Sequence, residues 1–115
     1  MIDTLARRSS ITERWKVLDE RIPEIMEGWR RFYGEVMRPR HLDRKTKELI
    51  MIAVVHATGC PWCIDTHVTK ARREGATPEE IAEAVATASL VLSGSTLMHH
   101  VVADETQENI ERGEG

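Results

Sequence analysis

Apolar residues recur along most of this chain at spacings of three and four, the period of one face of an α-helix. Trp15, Leu18, Ile22, Ile25, Trp29, Phe32 and Val36 form one such stripe. Pro23 interrupts it, and proline is tolerated in a first helical turn but not in an interior. The pattern therefore predicts a short helix to about Glu20 and a second from Pro23 to about Met37, closed by Arg38-Pro39-Arg40. Asp43 is a suitable N-cap for a third helix over residues 43–58, and Gly59 suits its C-terminal end. Pro61 opens a fourth helix, which ends before Gly75. Thr77-Pro78-Glu79-Glu80 has the form of a capping box, and Ile81, Val85, Ala88 and Leu92 are the expected buried stripe behind it. Ser93-Gly94-Ser95 is expected to break the chain. Leu97, Met98, Val101 and Val102 then mark a last helix that frays into the polar tail Asp104–Gly115. No alternating run of strand length lies between turn signals. The expected fold class is all-α, a single domain over residues 1–115 built of five to six helices.

Leu49-Ile50-Met51-Ile52-Ala53-Val54-Val55 is apolar on every side. Ile and Val favour strands, but the Asp43 cap, the segment length and the charged lead-in Arg44–Glu48 favour helix. A helix apolar all round has to be covered all round, by its own domain or by another subunit. In a chain of 115 residues the second arrangement carries weight, and a homo-oligomer is expected.

Composition narrows the partners. Charged residues make up 30% and the formal net charge is −3, so no basic field draws in nucleic acid or an anionic membrane surface. Acids and bases alternate locally, as in Asp43-Arg44-Lys45 and Lys47-Glu48, which reads as solvated helix faces. The longest unbroken apolar run is Leu49–Val55, far short of a membrane span. Met1–Ser10 has arginines with no apolar stretch behind them, so no secretory signal is expected and the expected setting is cytoplasmic. There, two cysteines three residues apart point to catalysis or metal binding rather than to a structural staple.

Cys60-Pro61-Trp62-Cys63 is the centre of the candidate chemistry. Residues at i and i+3 stand about 60° apart around a helix axis and one turn along it, a separation compatible with a disulfide. Cys63 falls at the third helical position, where free backbone N–H groups and the helix dipole favour the thiolate, the reactive form. His67, four residues on, shares that face, and imidazole exchanges protons near neutral pH. Three readings stay open on these residues. The first is dithiol redox chemistry. The second is a zinc site of Cys60, Cys63 and His67 with Glu48, His56, His99 or His100 as a fourth ligand. The third is a pair of inert buried thiols. A thioredoxin-like site needs a βαβ context, which is missing. Glu48 reads either as a solvated partner of Arg44 or Lys47, or as a partly buried carboxylate placed for proton transfer.

Three stretches carry a resemblance: Leu42–Leu49 (LDRKTKEL), Gly59–His67 (GCPWCIDTH) and Glu74–Ile81 (EGATPEEI). Together, and in this order, they resemble the carboxymuconolactone decarboxylase family, more narrowly its alkylhydroperoxidase D-like branch, from about Pro23 to Ala103. Residues 1–10 and 104–115 then become peripheral tails. The resemblance implies an all-α domain assembling into trimers or hexamers, and a functional set of Glu48, Cys60, Cys63 and His67 with no cofactor and no metal. It implies that a hydroperoxide oxidises Cys63 to a sulfenic acid, that Cys60 resolves it to the disulfide, and that an external dithiol reduces the pair. The best-known peroxidase members are longer and carry a histidine where this chain has Trp62. What the resemblance brings here is therefore dithiol–disulfide chemistry, acting on a hydroperoxide or a disulfide, rather than one particular peroxide. The decarboxylases that name the family act on a lactone acid without a C-x-x-C, so the cysteine pair argues against that activity. It stays as the alternative, with Glu48 and His67 as base and acid.

Overall fold

Six helices account for almost all of the described residues in the computed structural model, which describes the backbone of residues 4–114 and side chains from Glu13 onward. They are α1 (Thr4–Arg21), α2 (Pro23–Met37), α3 (Arg44–Thr58), α4 (Pro61–Arg73), α5 (Pro78–Met98) and α6 (His100–Glu111). The helix starts follow from local chemistry. Pro23 takes the first position of α2, where its missing N–H costs nothing. The Asp43 carboxylate accepts the Thr46 N–H at 2.8 Å and caps α3. Thr77 and Glu80 exchange side chain-to-backbone hydrogen bonds at 3.0 and 2.9 Å, completing the capping box of α5. Gly59 ends α3 at φ 71°, a left-handed conformation that glycine adopts without Cβ strain.

α3 is the centre. It packs against α4 in an antiparallel helical hairpin and against α5, and the Lys45–Glu80 ion pair at 2.9 Å ties its start to that of α5. Ile52 of α3, Ala71 of α4 and Ala76 form the buried apolar nucleus, with Leu49, Val68, Ile81 and Val85 around it. α1 and α2 form a second hairpin, closed by Trp15 edge-on to Trp29 at 5.3 Å and by Asp19 bonded to Arg30 at 2.8 Å.

Four expectations change. Ser93-Gly94-Ser95 does not break the chain, because α5 runs through it to Met98. Ser93 and Thr96 donate their hydroxyls to the Leu90 and Leu92 carbonyls, and one interior glycine costs only about 1 kcal/mol. The C-terminal segment does not fray at Asp104: α6 continues to Glu111, supported by Thr106 and Gln107 donating to the Val102 and Ala103 carbonyls. The N-terminal segment is likewise helical from Thr4, and residues 1–3 and 115 lie outside the described residues. Finally, the expected buried stripe of α5 is only half-buried as far as Ala88, and Leu92 is 48% exposed.

That last point is general. Ile50 and Val54 of α3, Leu90 and Val91 of α5, and Leu97, Met98, Val101 and Val102 around the α5–α6 junction are all exposed. The radius of gyration is 19.8 Å, against about 13 Å for a compact chain of roughly this length. No Asp, Glu, Lys or Arg occurs between Ala84 and Ala103. By length and composition alone, Pro78–Glu111 is long and apolar enough to cross a membrane. Serine, threonine and histidine interrupt it, so it holds no unbroken apolar run of spanning length. A continuous apolar face of this extent marks an interaction surface. Its richness in Ala, Ser and Gly suits close packing of one helix on another, so it predicts association with further copies of this chain. Sedimentation should find a species larger than one chain, and Leu97→Glu with Val101→Glu should move it to the single chain. A wild-type monomer at micromolar concentration contradicts this.

The caps predict acid behaviour. The Thr46 backbone N–H holds the Asp43 carboxyl below its ordinary range, and the Lys45 ammonium does the same for Glu80. A carboxyl lowered in the folded state adds stability that is fully present above its unfolded value, near 4, and lost as pH falls through the lower folded value. Lys45 is raised by Glu80, so its share is lost only on the alkaline side. The melting temperature should drop below about pH 4, and drop less steeply in Asp43→Asn/Glu80→Gln; superimposable curves contradict this.

Candidate functional site

The α3–α4 hairpin carries the site. Its turn is short: Gly59 closes α3, and Cys60 serves as N-cap of α4 in an extended conformation. Pro61 lacks an N–H, and the Cys63 N–H reaches back to Cys60 Sγ at 3.3 Å. The two sulfurs are joined in a disulfide with the Cα atoms 5.3 Å apart. Cys63 is at the third helical position, as its spacing predicts, but the amide that meets a sulfur here is its own, and the sulfur it meets is that of Cys60. The helix N-terminus therefore favours negative charge on Cys60.

Glu48 and His67 come together from opposite arms of the hairpin. His67 Nδ1 lies 2.8 Å from Glu48 Oε2. Glu48 is 2% exposed, the one charged side chain among the buried described residues. A buried carboxylate is costly unless a donor meets it, and here imidazole does. With Glu48 ionised, Nδ1 is the donor, and Nε2 is left with a lone pair able to take a proton. His67 stands one turn beyond Cys63 on the same face of α4.

Glu48's alternative partners are engaged elsewhere. Lys47 donates to the Val36 and Arg38 carbonyls at 2.5 and 2.8 Å, closing the C-terminal end of α2. Arg44 faces Glu74 at 3.9 Å. The reading of Glu48 as a solvated partner of either base is thus replaced by the buried one. His56 donates its Nδ1–H to the Ile52 carbonyl at 2.8 Å, and it lines a separate groove with Val85 and Ser89. His99 and His100 are exposed at the α5–α6 junction. Among the described residues no three His, Cys, Asp or Glu side chains gather as a metal site, so the zinc set considered from the sequence is not assembled.

Sequence reasoning missed a neighbouring group. Tyr33 of α2 accepts a hydrogen bond from Lys70 of α4 at 2.5 Å, and both line a cavity of about 350 Å³ that also reaches Glu48. No spacing signal links residues 33 and 70; only the tertiary fold joins them.

An all-helical hairpin with a Cys-x-x-Cys disulfide at a helix start and a buried Glu–His pair defines the class. This chain belongs to the carboxymuconolactone decarboxylase family, whose model matches residues 23–103. A carboxymuconolactone decarboxylase family protein from Legionella pneumophila has 30% identity and a TM-score of 0.74, with 97% of each chain covered. One from Thermotoga maritima, described with a possible part in an antioxidative response, has 29% identity and a TM-score of 0.64 over 95% of this chain and 97% of its own. A Paracoccus denitrificans protein described as uncharacterized protein 4 in the cox locus is 53% identical over 58 residues, 50% of this chain. The chain spans about half the length of that relative, with 52% of it covered.

Removing the acceptor should destabilise the hairpin. Glu48→Ala leaves His67 Nδ1 without its partner inside the packed α3–α4 contact, at a cost of about 1–3 kcal/mol, measurable by urea unfolding. A change below about 0.5 kcal/mol, the size of an ordinary surface substitution, contradicts the buried pairing.

Proposed function

We propose that this protein is a thiol-dependent oxidoreductase that cycles the Cys60–Cys63 pair, with Glu48 and His67 as its proton relay. The observation that carries this reading is the 2.8 Å His67–Glu48 hydrogen bond, set on the same helical hairpin as the cysteine pair. Family membership supports enzymatic activity, and the Thermotoga relative's description supports an antioxidative direction.

In the oxidative half, His67 Nε2 takes the Cys63 thiol proton, and the thiolate attacks the distal oxygen of a hydroperoxide. The S–O bond forms as the O–O bond breaks, leaving a Cys63 sulfenic acid and an alkoxide that takes the proton from His67. The Cys60 thiolate then attacks the sulfenic sulfur, and hydroxide leaves as water on protonation. In the reductive half, an external dithiol attacks Cys63. The S–S electron pair departs with Cys60, where the Cys63 N–H and the helix N-terminus receive the charge. The donor's second thiolate then resolves the mixed disulfide, releasing reduced Cys63 and oxidised donor. Two electrons pass from dithiol to peroxide. Glu48 holds the imidazole in one tautomer and offsets its charge while it carries the proton. A reducing cytoplasm is the proposed setting, and a homo-oligomer covering the α5–α6 face is the proposed assembly.

Peroxide consumption with a dithiol donor should vanish in Cys63→Ser. In Glu48→Gln it should fall by about 100-fold or more, as expected for a lost acid–base relay, while the disulfide still forms. Undiminished turnover in Cys63→Ser overturns the reading. So does lactone-acid decarboxylation that survives Cys60→Ser and Cys63→Ser.

A further inference from the structure

We propose that the cavity beside Glu48 is a binding site for a small carboxylate with a short apolar body. Its volume of about 350 Å³ lies at the lower end of small-molecule pockets. Its charges are unevenly matched. Arg44, Lys70 and Arg73 line it, with Glu48 and Glu74 as the acids. Glu48 is already bonded to His67, and Glu74 faces Arg44. The Lys70 ammonium rests on Tyr33, donating to its hydroxyl and lying 4.7 Å from its ring centroid, with no carboxylate partner among the described residues. Arg73 has no carboxylate partner among the described residues. Three cations thus line this cleft against two carboxylates, a surplus of one positive charge that fits an anionic head group.

The rest of the wall is apolar. Met37 is 4% exposed, and Gly34 presents no side chain. A Cβ at Gly34 meets nothing within 4 Å, so the wall there borders open space. A carboxylate held between Lys70 and Arg73, its chain along Gly34 and Met37, satisfies both the charge and the surface. Neither cysteine lines the cavity, so this is a ligand site separate from the thiols. It touches the proposed relay only through Glu48, and it stands whether or not the thiol reading does.

Calorimetric titration of the purified full chain tests this, using hexanoate as probe with hexanol and hexylamine as controls. Hexanoate should saturate one site per chain, and neither control should. Arg73→Ala changes an exposed residue and should weaken hexanoate about tenfold, the loss of one charge-assisted contact. Gly34→Leu keeps every charge, favours helix and fills the open wall, and it should abolish binding. The His67 ring resonances should shift on saturation, since Glu48 is shared between cavity and imidazole. Hexanoate binding no better than hexanol, or equally well to wild type and both variants, overturns the proposal. These outcomes are independent of peroxide turnover, so failure here and failure of the thiol reading are separately visible.

Discussion

A carboxylate removed from water must find a donor, and Glu48 finds the Nδ1–H of His67 across the α3–α4 hairpin. That requirement sets the register of the two helices more tightly than apolar contact alone can, because hydrophobic packing is non-directional whereas this bond has a length and a direction. Residues 48 and 67 meet only if α3 ends and α4 begins within a very short turn. The left-handed Gly59 and the extended Cys60 provide that turn. The same turn places Cys60 at the helix start and closes it onto Cys63. The disulfide and the Glu–His pair are therefore two consequences of one hairpin geometry.

The cations that precede Glu48 on α3 are turned to other acceptors. Lys47 is drawn to the carbonyl end of α2, Arg44 toward Glu74, and Lys45 to Glu80. Each of these also ties an element to α3. The Lys47 contact fixes α2, and the Lys45 contact fixes α5. On the far side of α2, Tyr33 meets Lys70 and leaves the cavity that reaches Glu48. The cost of burying one carboxylate is thus met by a local network in which most of the surrounding cations already have oxygen acceptors.

The helix that holds Glu48 is also the one least well covered by its own chain. Ile52 is fully buried, while Ile50 and Val54 remain about half exposed. The apolar nucleus around Ile52 is small, and the long α5–α6 face adds more apolar surface than one chain can bury. The proposed association of copies would give these faces an apolar environment.

Helix identities were legible because their signals are local. Asp43, Gly59, Pro61 and the Thr77/Glu80 box act within a turn of themselves, and the structure places α2, α3 and α4 where those residues predict. The Cys60–Cys63 pair and the position of His67 one turn on were legible for the same reason, since spacing along a helix fixes its faces. Local rules failed at Ser93-Gly94-Ser95 and after Asp104, where weak breakers yield to continuing helical hydrogen bonds. They could not decide whether Glu48 is solvated or buried, which sulfur the Cys63 amide meets, or that Tyr33 and Lys70 line one cavity. Those outcomes depend on contacts between residues far apart in sequence, which no spacing rule encodes. The sequence by itself determined where the helices begin and how the candidate groups are spaced along them; the packing of α3 against α4 decided that Glu48 meets His67.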